Sequence, residues 1–160
     1  MLPSHNPAAT DAPDLTTVLL DVLGDLAFMV TDDEPADWPP GTVWLQAQIT
    51  YHGPATGTLR CWGTREFGTR LAANLLGIEA ADAQAQIAGQ DALREFMNVL
   101  CGQLVTAWHG KHAVFTLSIP TVRECLEAPA GVAGPPRHVC RLSIEGQPLL
   151  CVYERAQPDP

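Results

Sequence analysis

The chain changes its hydrophobic period several times, and each change marks an element. Leu15, Val18, Leu19, Val22, Leu26 and Met29 recur at helical spacing behind a candidate N-cap, Asp14, which predicts a first helix running to about Val30. The acidic, proline-punctuated stretch TDDEPADWPPG ends that pattern and reads as a loop. A period of two follows. Val43, Leu45, Ala47, Ile49 and Tyr51 face one way, and Gln46, Gln48 and Thr50 the other. The turn HGPATG leads to a second strand, Thr58 to Trp62, with Leu59 and Cys61 inward. Thr64 then caps a short helix carrying Phe67, Leu71 and Leu75, with Gly77 as its natural stop. A long central helix ends near Trp108 to Gly110. Its start stays open, because Gly89 costs about 1 kcal/mol relative to Ala in a helix interior, and the Ala/Gln-rich stretch before it can equally form a separate turn. Ala113 to Ile119 reads as a strand and EAPAGVAGPPR as a surface loop. The segments His138 to Glu145 and Pro148 to Arg155 form a hairpin across Glu145-Gly146-Gln147. The order α-β-β-α-α-β-β-β implies an α+β domain, with long helices packed on one face of a mainly antiparallel sheet.

Length and charge narrow the partners. A chain of 160 residues is expected to form one domain, 14–155, between Pro- and Ala-rich tails at 1–13 and 156–160. The formal charge of −9 argues against nucleic acid and against anionic membrane, since both repel such a surface. No apolar run approaches the ~18 residues of a membrane helix, and the N-terminus has no secretion signal. A cytoplasmic protein is expected. The five cysteines, Cys61, Cys101, Cys125, Cys140 and Cys151, contain no CxxC. They read as reduced thiols serving as small apolar side chains, with neither a disulfide framework nor a metal site built on them.

The candidate chemistry concentrates in the central helix. At about 100° per residue, Asp91, Glu95, Asn98 and Gly102 fall on one face, while Leu93, Phe96, Met97, Leu100 and Leu104 fall on the other. The polar face carries short groups and a bare backbone at Gly102, as if something must come close. Spacing alone does not separate Glu95 and Asn98 from an ordinary solvent-facing pair. The other candidates have simpler explanations. His109 and His112 form an HxxH that lacks a third metal ligand nearby, and His109 suits a helix C-terminus. Cys101 points towards the core flank and shows no base beside it. Trp38, Trp44, Trp62 and Trp108 read as core rims or interface.

The pattern Asp91-x-x-x-Glu95-x-x-Asn98, followed by Pro120 after a helix-to-strand passage, resembles the CheC/CheX/FliY family of chemotaxis phosphatases, and its CheX-like branch best. An opening helix with Leu-Ala-Phe-Met, a Tyr51-His-Gly53 turn before Gly57-x-Leu59, Leu71-Ala-x-x-Leu75-Leu-Gly77 and Leu117-Ser-Ile-Pro120 occur in the same order. The resemblance covers roughly residues 14–153. It implies a phosphatase acting on the phosphoaspartate of a CheY-type response regulator. Asn98 would orient the attacking water and Glu95 would reach the regulator's lysine. Asp91, Gly102 and Pro120 would serve partner binding, Gly102 by admitting the regulator's loops and Pro120 by shaping the strand edge. It also implies a homodimer formed through sheet edges. No metal is expected on this chain, and Mg²⁺ is expected on the regulator. Two departures stand out. The interval between Asn98 and Pro120 is slightly short for the family, and the first helix has Asp21-x-x-Gly24 where two-site relatives carry a second Glu/Asn pair, so that helix reads as structural. A non-catalytic adaptor that docks regulators or flagellar switch proteins would use the same helix face. A small-molecule enzyme using Cys101 or the histidines would instead need a deep apolar pocket.

Overall fold

Asp14 opens the first helix as expected. Its carboxylate accepts from the Thr17 amide at 2.8 Å, and α1 runs Leu15–Ala27 with Leu15, Val18, Leu19, Val22 and Leu23 buried. The structure, a computed structural model, describes residues 12–34, 40–126 and 137–156. The expected tails, apart from Ala12, Pro13 and Ala156, lie outside the described residues, as do Trp38 and most of the Pro/Gly loop after Leu126. Helix α1 stops three residues short of Val30. Phe28 adopts a left-handed conformation (φ 55°), and the amides of Phe28 and Met29 close onto Gly24 O and Leu23 O. That turn tucks Met29 back into the core and leaves Phe28 in solvent, so the apolar stripe outlasts the helix.

Strands β1 (Trp44–His52) and β2 (Gly57–Thr64) pair antiparallel from Trp44↔Thr64 to Tyr51↔Gly57. Helix α2 (Arg65–Leu76) begins at Thr64, whose hydroxyl accepts from the Phe67 amide at 2.9 Å, and ends at Gly77 (φ 68°). The stretch before the central helix is a separate short helix, α3 (Ala83–Ile87), capped by Asp82. The central helix α4 is Gly89–His109. Gly89, a poor helix former, is required by packing: a Cβ there would lie 3.2 Å from the Gly68 backbone of α2. The two helices touch backbone to backbone at this point.

The expected strand Ala113 to Ile119 is mostly irregular. Only β3 (Thr116–Leu117) pairs, with Tyr51 and His52, and a further strand, β4 (Thr121–Cys125), pairs with Trp44 to Gln48. Together they make one interrupted edge alongside β1. Pro120, with no N–H to donate, sits in the break, where Ser118 instead exchanges hydrogen bonds with the backbone of Thr50. The hairpin β5 (Arg137–Ile144) and β6 (Gln147–Arg155) turns through Glu145 and Gly146, both at positive φ, as two-residue hairpins require. The element order is therefore α-β-β-α-α-α-β-β-β-β, two elements more than the hydrophobic pattern implies. The sheet order is β3-β1-β2-β6-β5, with β4 also on β1, and all pairings are antiparallel.

The inward positions Leu45, Ala47, Ile49, Leu59, Leu149 and Tyr153 join the apolar faces of α1, α2 and α4 in one continuous core. The opposite face carries a polar lattice in which Arg60 binds Gln48 and Glu154, and Arg123 binds Gln46. One expectation is corrected. Cys61 and Cys151 are joined by a disulfide, being register partners on β2 and β6 with Cα atoms 4.3 Å apart. Their separation of 90 residues hides this pairing in the sequence. Cys101, Cys125 and Cys140 remain thiols.

Candidate functional site

Helix α4 separates its two faces as its period dictates. Leu93, Phe96, Met97, Leu100 and Leu104 are buried against the sheet and the other helices, and Asp91, Glu95 and Asn98 stand in solvent. The buried face fixes the helix along its length, so the exposed groups are presented from a rigid support. Asp91 accepts from Arg94 Nη1 at 2.6 Å, an i,i+3 ion pair. Glu95 and Asn98, one turn apart, make no hydrogen bond or ion pair with any described residue. A carboxylate and a carboxamide left free on a rigid ridge retain their full capacity for an outside partner.

Beyond Asn98 the ridge dips. Val99, Gly102, Gln103, Thr106 and Ala107 line a shallow open depression continuous with Asn98. A Cβ placed on Gly102 would meet nothing within 4 Å, so no contact with the described residues explains a glycine in mid-helix. The Thr106 hydroxyl donates to the Gly102 carbonyl at 2.9 Å. Val99, Gln103, Thr106 and Ala107 carried no signal in the sequence, because small and polar residues on an exposed helix face are commonplace. Pro120, the remaining predicted contact, lies at the interrupted sheet edge rather than on α4.

The alternative chemistries fare differently. Cys101 is fully buried, and burial pushes its thiol up to about 12, far from the thiolate a nucleophile needs. His109 packs between Tyr51 and Phe115, and burial lowers its pKa. His112 is exposed. Among the described residues no group of three His, Cys, Asp or Glu side chains is arranged to hold a metal. Trp44 is buried, while Trp62 and Trp108 are half-buried, the latter donating from Nε1 to Pro13 O at 2.7 Å. On α1, Asp21 is exposed and Gly24 lies one turn on, with no carboxamide beside it. Among the described residues no helix is long and apolar enough to cross a membrane.

The described chemistry is thus a convex ridge rather than a cleft around a small substrate. Asparagine does not titrate and cannot serve as a base, so it can only position what others activate.

Comparison with known proteins bears on the family and the fold. The family model described as "Chemotaxis phosphatase CheX" matches residues 45–130, a span that contains Glu95, Asn98, Gly102 and Pro120. No curated protein matches the chain in sequence. Among solved structures, the chain is similar to the chemotaxis protein CheX from Desulfovibrio desulfuricans, at 16% identity and a TM-score of 0.64, covering 89% of this chain and 96% of that one. It is similar to the CheX in a CheX–CheY–BeF3–Mg²⁺ complex from Borrelia burgdorferi, at 18% identity and a TM-score of 0.65 with the same coverage. Thermotoga maritima FliY shares the fold more distantly, at 12% identity and a TM-score of 0.57, over 95% of this chain and 90% of that one.

Proposed function

The chain belongs to the CheX family of chemotaxis phosphatases, and from that premise we propose that it hydrolyses the phosphoaspartate of a CheY-type response regulator by entering the regulator's active site with Glu95 and Asn98. The observation that carries this reading is the state of those two side chains: exposed, one helical turn apart, and free of partners among the described residues.

Phosphoryl transfer passes through a loose transition state in which the attacking water is little bonded to phosphorus. Such a reaction needs a water held in line more than it needs a strong base. The Asn98 carboxamide can accept from and donate to one water at once. The Glu95 carboxylate, one turn towards the N-terminus, can pair with a lysine of the regulator and so fix the angle at which α4 enters. The regulator brings the phosphoryl group and the Mg²⁺ that neutralises it. A similar pairing of CheX with CheY, BeF3 and Mg²⁺ is what the Borrelia burgdorferi complex contains. Gly102 leaves room for a loop of the regulator beside the inserted groups. Pro120 acts indirectly, by shaping the break between β3 and β4 on the sheet edge.

The same reading places the protein in the cytoplasm with its regulator, and as a homodimer. The interrupted β3/β4 edge supports a dimer, because its outer side is unpaired among the described strands and Val114, Ile119 and Leu126 along it are 81%, 86% and 73% exposed. Sedimentation velocity checks this, with a dimer expected.

The direct test of the activity follows loss of label from a ³²P-phosphorylated regulator, with and without the purified protein. Accelerated loss is expected. Binding of the phospho-regulator with no acceleration would favour the adaptor instead.

A further inference from the structure

Arg94 is the single Arg or Lys in α4, and it stands between Asp91 and the site. Its guanidinium reaches towards the helix N-terminus, to Asp91 at 2.6 Å. In the other direction, four residues on, lies Asn98. Helical residues at i and i+3 or i+4 are neighbours, so Arg94 has acceptors on both sides along its own helix: Gln90 and Asp91 towards the N-terminus and Asn98 towards the C-terminus. A guanidinium is always charged and carries five donors. Turned towards Asn98, it would occupy the carboxamide oxygen that the proposed mechanism needs for water. Glu124 lines a surface cavity together with Asp91 and Arg94, but it is already paired with Arg65 at 2.7 Å. Asp91 is 84% exposed and its side chain pairs with no described residue besides Arg94, although its charge in the first turn of α4 also favours the helix dipole.

We propose that Asp91 is a positioning residue: it pins Arg94 back along α4 and thereby keeps the Asn98 carboxamide free to hold the attacking water. The inference rests on the reading of Asn98 given above. It assigns Asp91 a role within this chain rather than a contact with the regulator.

The test uses Asp91→Ala, Asp91→Asn, Arg94→Ala and the double variant Asp91→Ala/Arg94→Ala, all surface changes whose folding circular dichroism can verify. Two readouts are taken. The first is the side-chain amide resonance of Asn98 in the free protein. The second is regulator dephosphorylation, resolved into kcat and KM. Asp91→Ala is expected to shift the Asn98 resonance and to lower kcat two- to fivefold with KM unchanged, the size that the loss of one exposed ion pair allows. Asp91→Asn, which keeps an acceptor oxygen, is expected to fall between. Arg94→Ala alone should leave both readouts as in the unaltered protein, and the double variant should return to that level. A double variant as impaired as Asp91→Ala would overturn the inference, since Asp91 would then be acting on the partner directly. An Asn98 resonance unmoved by Asp91→Ala would overturn it as well, whatever the activity. A shifted and rescued resonance in a protein that dephosphorylates nothing would uphold the pin and remove only the catalytic reading of Asn98.

Discussion

Replacing Gly102 by alanine should make the protein more stable and a worse phosphatase. Gly102 lies well inside the 21-residue helix α4, and a Cβ built there finds open space. Nothing among the described residues opposes the methyl group, so the ordinary helix preference of alanine over glycine applies in full, roughly 0.5–1 kcal/mol. For a domain of this size that raises Tm by about 1–4 °C. The partner feels the opposite effect. A methyl group at a point of close backbone approach forces both surfaces to shift, at a cost of about 1–3 kcal/mol, or roughly a 5- to 150-fold weaker productive complex. Thermal unfolding followed by far-UV circular dichroism gives the first quantity. The dependence of dephosphorylation rate on regulator concentration gives the second, as a raised KM. A higher Tm with an unchanged KM would refute the reasoning, because the glycine would then serve no approach. A lower Tm would show that the open space above Gly102 had been misread.

Other consequences are more local. Gly89→Leu drives a side chain into the Gly68 backbone 3.2 Å from the new Cβ, and should lower stability by about 1–3 kcal/mol, seen as an earlier urea midpoint. Asp32 accepts from the Ser143 hydroxyl and the Gly146 amide, both at 2.6 Å, and these bonds hold its carboxyl below the usual range. Because the folded pKa is depressed, the stability it contributes is present above the unfolded value of about 3.9 and is lost as pH falls through the folded value. The gap in stability between the unaltered protein and Asp32→Ala should therefore be constant near neutrality and narrow only in acid, and a gap that widens on acidification would contradict the assignment. Cys101→Ala should leave dephosphorylation per folded molecule unchanged, since the thiol is buried and its pKa lies near 12. Abolished turnover there would reinstate a cysteine mechanism.

What the sequence made legible were features written in local chemistry. Thr64 and Gly77 bound α2 because a hydroxyl cap and a left-handed glycine act within one turn. The facing of Glu95 and Asn98 followed from helical period alone, and the exposed ridge in the structure matches it. Long-range and backbone-strain features stayed hidden. The end of α1 depends on Phe28 taking a left-handed conformation that its residue type does not advertise. Strand β4 follows a proline and precedes a Pro/Gly loop, and it exists because β1 offers it an edge. The Cys61–Cys151 pair needed the β2–β6 register. The i,i+3 spacing of Asp91 and Arg94 permits an ion pair, but only the structure shows Arg94 turned to Asp91 rather than along the helix the other way.

The account rests on a carboxamide that aligns water inside another protein's active site. The measurement that tests it most directly compares Asn98→Ala with the unaltered protein in two assays on the same regulator: stimulated loss of phosphate, and affinity for the regulator held in its beryllofluoride-activated form. The account predicts a loss of rate on the order of 10²-fold, typical for removal of one positioned polar group, with affinity within about twofold. An unchanged rate would contradict it outright, and equal losses of rate and affinity would make Asn98 a docking residue rather than a catalytic one.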